Sequence, residues 1–278
     1  MSSLDADRIR AAAGCAALLV RTVDEIVSTN EALMQAPFGP APASPVLLAT
    51  LNQTAGRGRR GRVWVCEAGR SLAFSMAFER GVGADPPPPA LSIVVGVAAA
   101  VALAPWAPDL RLKWPNDLQR GGRKLGGILV ETRRSLPLPG APPHSIERIV
   151  VGIGINLAAP RDARIGQPAC GLFDGAIALD DPATVIGCIA GEVARSFERF
   201  LAEGAGEFVA AWQRFDALQG ESVVVLEGER VVASGQALGI DAQGALRVLG
   251  AGGVQIVRHG EATLRRDEER EAARSVPR

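Results

Sequence analysis

Four guanidinium groups and three glycines share the seven residues Gly56-Arg57-Gly58-Arg59-Arg60-Gly61-Arg62. Such a cluster suits a polyanion. Several cations can gather round phosphate oxygens, while mutual repulsion and glycine freedom keep the empty segment loose, so anion binding and closure are coupled. The run contains G-x-G-x-x-G, yet Val63-Trp64-Val65 and then a strand follow where a dinucleotide site needs a helix. A Rossmann site is therefore excluded. Gly121-Gly122-Arg123-Lys124-Leu125 lacks both the Walker spacing and the hydroxyl that binds Mg2+ there. A solvated turn or a weak RNA contact is the plain alternative for the arginine run, and Trp64 with strands on both sides argues against it.

Lysine is nearly absent: of 30 basic residues only Lys113 and Lys124 are lysine. Where arginine replaces lysine almost everywhere, the two that persist read either as sites needing a compact ammonium instead of a flat fork or as chance survivors on the surface. Lys113-Trp114-Pro115-Asn116-Asp117 ends a strand in a proline-fixed turn, and Asp117 reads either as a Mg2+ ligand or as a turn cap. Lys124-Leu125-Gly126-Gly127-Ile128 opens another strand, where Gly126 and Gly127 permit close approach of ligand or backbone. Gly152-Ile153-Gly154-Ile155-Asn156 is a buried strand ending in an amide. Ser28-Thr29-Asn30-Glu31 is a capping box whose hydroxyls and amide also suit a neutral polar head group. Gln53-Thr54 adds a further amide and hydroxyl at a strand end.

The elements that must position these groups follow from periodicity. Strands are predicted at Leu47–Leu51, Leu72–Phe78, Leu110–Trp114, Gly127–Thr132 and Ile149–Ile155, and helices at Glu31–Ala36, Ala90–Ala104, Ala183–Glu203 and Glu207–Leu218. The order is irregular, which points to an α+β (mixed α/β) fold and away from a doubly wound sheet. After Leu218 the pattern changes to short β segments at Val223–Leu226, Val231–Leu238, Ala245–Leu249 and Val254–Val257, separated by glycine turns: a small barrel. The expected division is a catalytic domain over 1–217, the barrel over 218–266 and a charged tail over 267–278, with surface loops at Pro86–Pro89 and Pro137–Pro143.

Composition narrows the function further. Thirty acidic residues balance the basic ones, so no global field attracts nucleic acid or an anionic membrane, and phosphate chemistry must come from a local cluster. The longest apolar stretch, Ala90 to Ala104, stops at Pro105, short of the roughly 18 residues a membrane span needs. Residues 11–20 resemble a leader but follow Asp5 and Asp7 with no cleavage site, so the expected setting is cytoplasmic. Cys15, Cys66, Cys170 and Cys188 are widely spaced, with only His144 and His259 for company, which supports neither zinc, nor disulfides, nor a histidine triad.

Taken in order, STN at 28–30, QTxGRGRRGR at 53–62 with Trp64, KWPND at 113–117, RKLGGILVE at 123–131 and GIGIN at 152–156 resemble the biotin protein ligases over about residues 25–265. The resemblance implies a catalytic domain like that of class II aminoacyl-tRNA synthetases, followed by an SH3-like barrel. It also implies the chemistry: biotin and ATP give biotinoyl-5′-adenylate and pyrophosphate with Mg2+, and the biotinoyl group then passes to a lysine of the biotin carboxyl carrier protein of acetyl-CoA carboxylase. By motif match, biotin falls to Ser28, Thr29, Asn30, Gln53, Arg57, Gly58, Arg59, Lys124 and Gly127. The nucleotide falls to Arg59, Arg60, Arg62, Trp64, Lys113, Asn116 and Asn156, the metal to Asp117, and the catalytic roles to Lys124 and Arg59.

Two departures from the family stand out. Only 27 residues precede Ser28, too few for the winged helix of family members that repress transcription, so no DNA partner is expected. Nothing after Lys124 is lysine, so the family's nucleotide-side lysine in the barrel has no counterpart, although Arg265 matches its C-terminal arginine. The sequence leaves a homodimer open. A lipoate ligase of the same fold and a non-catalytic RNA-binding protein are the competing readings.

Overall fold

A computed structural model describes residues 4–38, 44–81, 90–135, 146–162, 165, 167–174, 181–228 and 230–258, and the backbone of 262–266. The expected loops at Pro86–Pro89 and Pro137–Pro143, the tail over 267–278, His144 and His259 lie outside the described residues. Strands β1 (Leu19–Thr22), β2 (Val46–Thr50), β3 (Gly56–Arg57), β4 (Val63–Trp64), β5 (Ser71–Gly81), β6 (Arg111–Lys113), β7 (Asp117–Arg120), β8 (Arg123–Arg134) and β9 (Ile146–Asn156) precede the barrel. The barrel strands are β10 (Ser222–Glu227), β11 (Arg230–Ile240), β12 (Leu246–Gly250), β13 (Gly253–Val257) and β14 (Ala262–Arg266). Helices are α1 (Ala6–Ala13), α2 (Thr29–Gln35), α3 (Leu91–Leu103), α4 (Pro182–Glu203) and α5 (Gly206–Phe215).

Seven strands form one sheet in the order β1-β2-β5-β9-β8-β7-β6. Only β1 and β2 run parallel, so the mixed sheet predicted from the irregular element order is what forms. α3 is apolar almost all round because α4, α5 and the sheet enclose it, with Val101 left exposed. α2 covers the opposite face, with Leu33 in one apolar cluster with Leu48, Ala77 and Val150. Residues 11–20 form no continuous element: α1 ends at Ala13, left-handed Gly14 caps it, and β1 begins at Leu19.

α5 stops three residues short of the predicted Leu218. Its backbone turns extended at Asp216, where Ala217 N–H goes to Leu112 O and Leu218 N–H to the Asp216 carboxylate, so bonding to the sheet edge replaces the last helical turn. The second sheet runs β13-β12-β11-β10-β14. Its turns use Gly228, Gly244 and Gly253 at positive φ, as the glycine spacing implied. β14 was not among the predicted strands, although its residues fall within the barrel's expected bounds of 218–266. Apolar side chains of both sheets form one continuous core.

Candidate active site

All sixteen residues given a ligand, metal or catalytic role by motif match line a single cavity of about 880 Å³. The start of α2 contributes Ser28, Thr29 and Asn30, and the connection after β2 contributes Gln53. β3, β4 and the turn between them bring Arg57, Gly58, Arg59, Arg60, Arg62 and Trp64. The β6–β7 turn carries Lys113, Asn116 and Asp117, β8 supplies Lys124 and Gly127, and β9 ends in Asn156.

The arginine segment is a hairpin and not the open loop its composition suggests. Gly56 pairs with Trp64 and Arg57 with Val63, Gly58 N–H donates to Arg62 O at 2.7 Å, and Arg60 takes a left-handed φ of 59°. That conformation costs a non-glycine residue about 1 kcal/mol. Burial lowers the Arg59 guanidinium below its ordinary value, repulsion from Arg60 adds to this, and Asp117 opposes it. Asp117 thus faces Arg59 and also holds Lys124, its Oδ1 lying 2.7 Å from the ammonium. Six cations, Arg57, Arg59, Arg60, Arg62, Lys113 and Lys124, meet one carboxylate, Asp117, among the described residues of the wall. A chain with no net charge concentrates positive potential here.

Backbone fixes Lys124 from both sides: its N–H donates to Pro168 O and its carbonyl accepts from Cys170 N–H, each at 2.9 Å. The Asn156 amide donates to Cys170 O and Lys124 O, and the Asn116 amide donates to Ile128 O at 2.7 Å. These two amides tie the walls together. Across the sheet Asp117, Gly127 and Gly154 lie side by side. A Cβ on Gly154 would come within 2.6 Å of Trp64 Cζ2, so only glycine lets the indole lie on the strand. Gly152 admits Asn30 in the same way.

The polar end of the cavity is a relay that sequence reading did not assemble. Three contacts, Thr29 Oγ1 to Ser75 Oγ at 2.7 Å, Ser75 Oγ to Asn30 Oδ1 at 2.6 Å and Thr29 Oγ1 to Gln53 Oε1 at 3.1 Å, have two hydroxyl hydrogens between them. Assigning those hydrogens to the shorter pairs makes Thr29 donate to Ser75 and Ser75 to Asn30. Asn30 Nδ2 then donates to Glu131 Oε2 at 2.9 Å, and Arg57 approaches the same oxygen at 3.7 Å. Thr29 N–H donates to Gln53 Oε1 at 2.9 Å, which turns Nε2 toward Gly56. Ser75 and Glu131 were not among the expected site residues. A hydroxyl in the middle of the apolar run Leu72–Phe78 was the available signal for the first. Ile165, Gln167, Pro168 and Ala169 also line the cavity and carried no motif.

Two family models match the chain in order: the Biotin/lipoate A/B protein ligase family over residues 24–156, and the Biotin protein ligase C terminal domain over 219–265. The Bifunctional ligase/repressor BirA of Escherichia coli is 34% identical over 254 residues, covering 90% of this chain and 75% of that protein. The Biotin--[acetyl-CoA-carboxylase] ligase of Paracoccus denitrificans is 34% identical over 242 residues, 83% of this chain and 94% of its own length. Among solved structures, the biotin protein ligase from Aquifex aeolicus in complex with biotin and ATP superposes with a TM-score of 0.73 at 26% identity, covering 89% of this chain and 99% of that one. With both halves of the architecture matched in sequence order and the motif residues gathered on one cavity wall, the chain belongs to the biotin protein ligase family.

Proposed function

We propose that residues 1–217 form the catalytic domain of an ATP-dependent biotin protein ligase, 218–266 its barrel, and that the cavity carries out both half-reactions. The observation that carries this reading is the juxtaposition of a six-cation wall with the Thr29-Ser75-Asn30 relay. A ureido ring offers two N–H donors and one carbonyl. The relay leaves a Thr29 Oγ1 lone pair as acceptor, while Gln53 Nε2 and the Ser28 hydroxyl, which accepts from Glu31 N–H, remain as donors. A dithiolane ring would leave these buried groups unpaired, which disfavours lipoate.

In the first step the biotin carboxylate attacks the α-phosphorus, an oxygen–phosphorus bond forms, and the bond to the pyrophosphate oxygen breaks. Lys124 and Arg59 relieve repulsion between the two anions and stabilise charge on the α-phosphate in flight. Arg60, Arg62 and Lys113 hold the phosphates, Trp64, Asn116 and Asn156 the nucleoside side, and Arg57, Gly58 and Gly127 border the biotin side. In the second step the carrier's neutral amine attacks the acyl carbon, AMP leaves with the electron pair of the broken bond, and Asp117, the wall's one carboxylate, receives the amine proton. The closed hairpin shields the mixed anhydride from water.

Among the described residues no group of three acidic, histidine or cysteine side chains forms a metal cage. Mg2+ suits a site with one carboxylate when phosphates supply the other ligands, so Asp117 and the triphosphate would hold it together, and the ion would neutralise phosphate charge. The ATP requirement agrees with a cytoplasmic setting, and no helix of the described residues is long and apolar enough to cross a membrane.

The test is mass spectrometry of a carboxyl carrier domain incubated with the protein, biotin and ATP. One biotinoyl increment that depends on ATP and fails with lipoate is expected. An unmodified carrier with released pyrophosphate would leave only the first half-reaction, and binding of RNA without either product would favour the non-catalytic reading.

A further inference from the structure

The chain after Leu218 contains no lysine to reach the nucleotide, yet it is bonded to the cavity wall at Gly244, and the residue just before it, Ala217, is bonded to the strand that leads into that wall. β6 is a three-residue edge strand. On its open side Leu112 O accepts from Ala217 N–H at 2.9 Å, and Trp114 Nε1–H donates to Gly244 O at 3.0 Å. Lys113 sits between these two anchors, at the head of the turn that carries Asn116 and Asp117 into the cavity.

We propose that the C-terminal sheet serves the cavity as a positioning element, setting the Lys113–Asp117 turn through the Trp114–Gly244 hydrogen bond in place of the lysine that its sequence lacks. The proposal rests on reading the cavity as an adenylate-forming site.

The barrel's half of the contact is rigid. Asp241 O accepts from Gly244 N–H, and Asp241 Oδ1 accepts from Gln243 and Ala245 N–H, all at 2.9 Å. Gly244 holds φ +79°, and a Cβ there would stand 3.0 Å from Ile93 Cγ1 and 3.2 Å from Ala90 Cα, so the turn is wedged against α3. On the other side the indole is 2% exposed, and its N–H bond to Gly244 crosses from one sheet to the other in the dry core. A displacement of the turn by about 1 Å is enough to cost 10²-fold in rate where reactants must be aligned. Biotin's ring is read from α2 and Gln53, on other elements, so the two ligands separate the roles.

The experiment uses the full chain with Trp114→Phe, which keeps an aromatic ring of smaller size and removes the N–H, and Gly244→Ala, which strains the turn from the barrel side. Both should raise KM for ATP or lower kcat for pyrophosphate release tenfold or more, while calorimetry gives wild-type affinity for biotin. Amide hydrogen exchange should quicken at least tenfold across 113–119 and stay unchanged at 72–78, whose partners lie on β2 and β9. Ile256→Ser, on the exposed face of β13, serves as the control and should match wild type. Folded variants with wild-type ATP kinetics, or equal losses toward biotin and ATP, would overturn the proposal. A wild-type chain that releases no pyrophosphate would instead strike the adenylate reading, and the exchange pattern would still decide the positioning.

Discussion

The Lys124 ammonium and the Asp117 carboxylate lie 2.7 Å apart on adjacent strands, beside Gly127, the Cα partner of Asp117, where an added Cβ would stand 3.6 Å from the ammonium. The ion pair orients the ammonium beside the cavity, and in the proposed first step the substrate anion takes the carboxylate's place next to it. Lys124→Ala should therefore slow pyrophosphate release by about 10²-fold to 10³-fold, the scale of losing one charge stabiliser in flight. Lys124→Arg should also be impaired, because a fork does not replace a point charge. Thermal unfolding should shift by only a few degrees, so the loss reads as chemistry and not as collapse.

Asn30 donates to Glu131 at 2.9 Å, and this bond fixes the orientation of its amide. Asn30→Asp would set two carboxylates at that distance and invert the relay. Titration calorimetry should show biotin affinity at least tenfold weaker, equivalent to about 1.4 kcal/mol, with the KM for ATP little changed.

Gly154 lets Trp64 lie flat on β9. Gly154→Val would push the indole into the cavity, since its branched side chain starts within 2.6 Å of the ring. Tryptophan fluorescence should change in the free protein, and both ligands should bind more weakly. A variant with unaltered emission and affinity would contradict the packing described.

Arg148, at the end of the sheet away from the cavity, ties down the C-terminus of α2. Its guanidinium donates to Leu33 O at 3.0 Å and Pro37 O at 2.7 Å, pairs with Glu79 at 2.9 Å and stacks over Phe38. Arg148→Ala strands the buried Glu79 carboxylate. Urea unfolding should register a loss of about 3–5 kcal/mol, with weaker biotin binding in the folded fraction as Ser28 to Asn30 lose their support.

Burial pushes the Asp216 carboxyl above its usual range, although Leu218 N–H bonds to it at 2.8 Å. An acid raised on folding binds its proton more tightly in the native state. Its favourable contribution is therefore full below the unfolded value of about 3.9 and is lost as pH rises through the higher folded value. Asp216→Asn should gain stability relative to wild type at pH 7 and lose that advantage near pH 4, measured by urea unfolding at the two values.

Much of this architecture was legible because it obeys simple periods. Leu72 to Phe78 alternates, Ala183 to Glu203 repeats at helical spacing, and the barrel's turns fall on glycines that take positive φ. β7 escaped notice because Asp117, Gln119 and Arg120 look like a turn until the edge of β8 supplies their partners. α1 was hidden by an alanine run whose burial comes from Gly187 and Gly191 of α4, far along the chain. The cavity residues were legible as separate motifs. Their mutual hydrogen bonds were not, since Ser75 and Glu131 matter only through neighbours that the fold brings together.

Val223, Val225, Ile240 and Leu246 of the barrel belong to the same apolar cluster as Leu47 and Phe74 of the large sheet and Ile93 of α3. Calorimetry should therefore record one endotherm for the whole chain. Cleavage between 217 and 218 would bare an oily face on each fragment, so a nicked protein should stay together as a noncovalent pair, and either piece produced alone should aggregate. Transplanting this barrel onto another synthetase would require recutting that seam, residue by residue, on both sides.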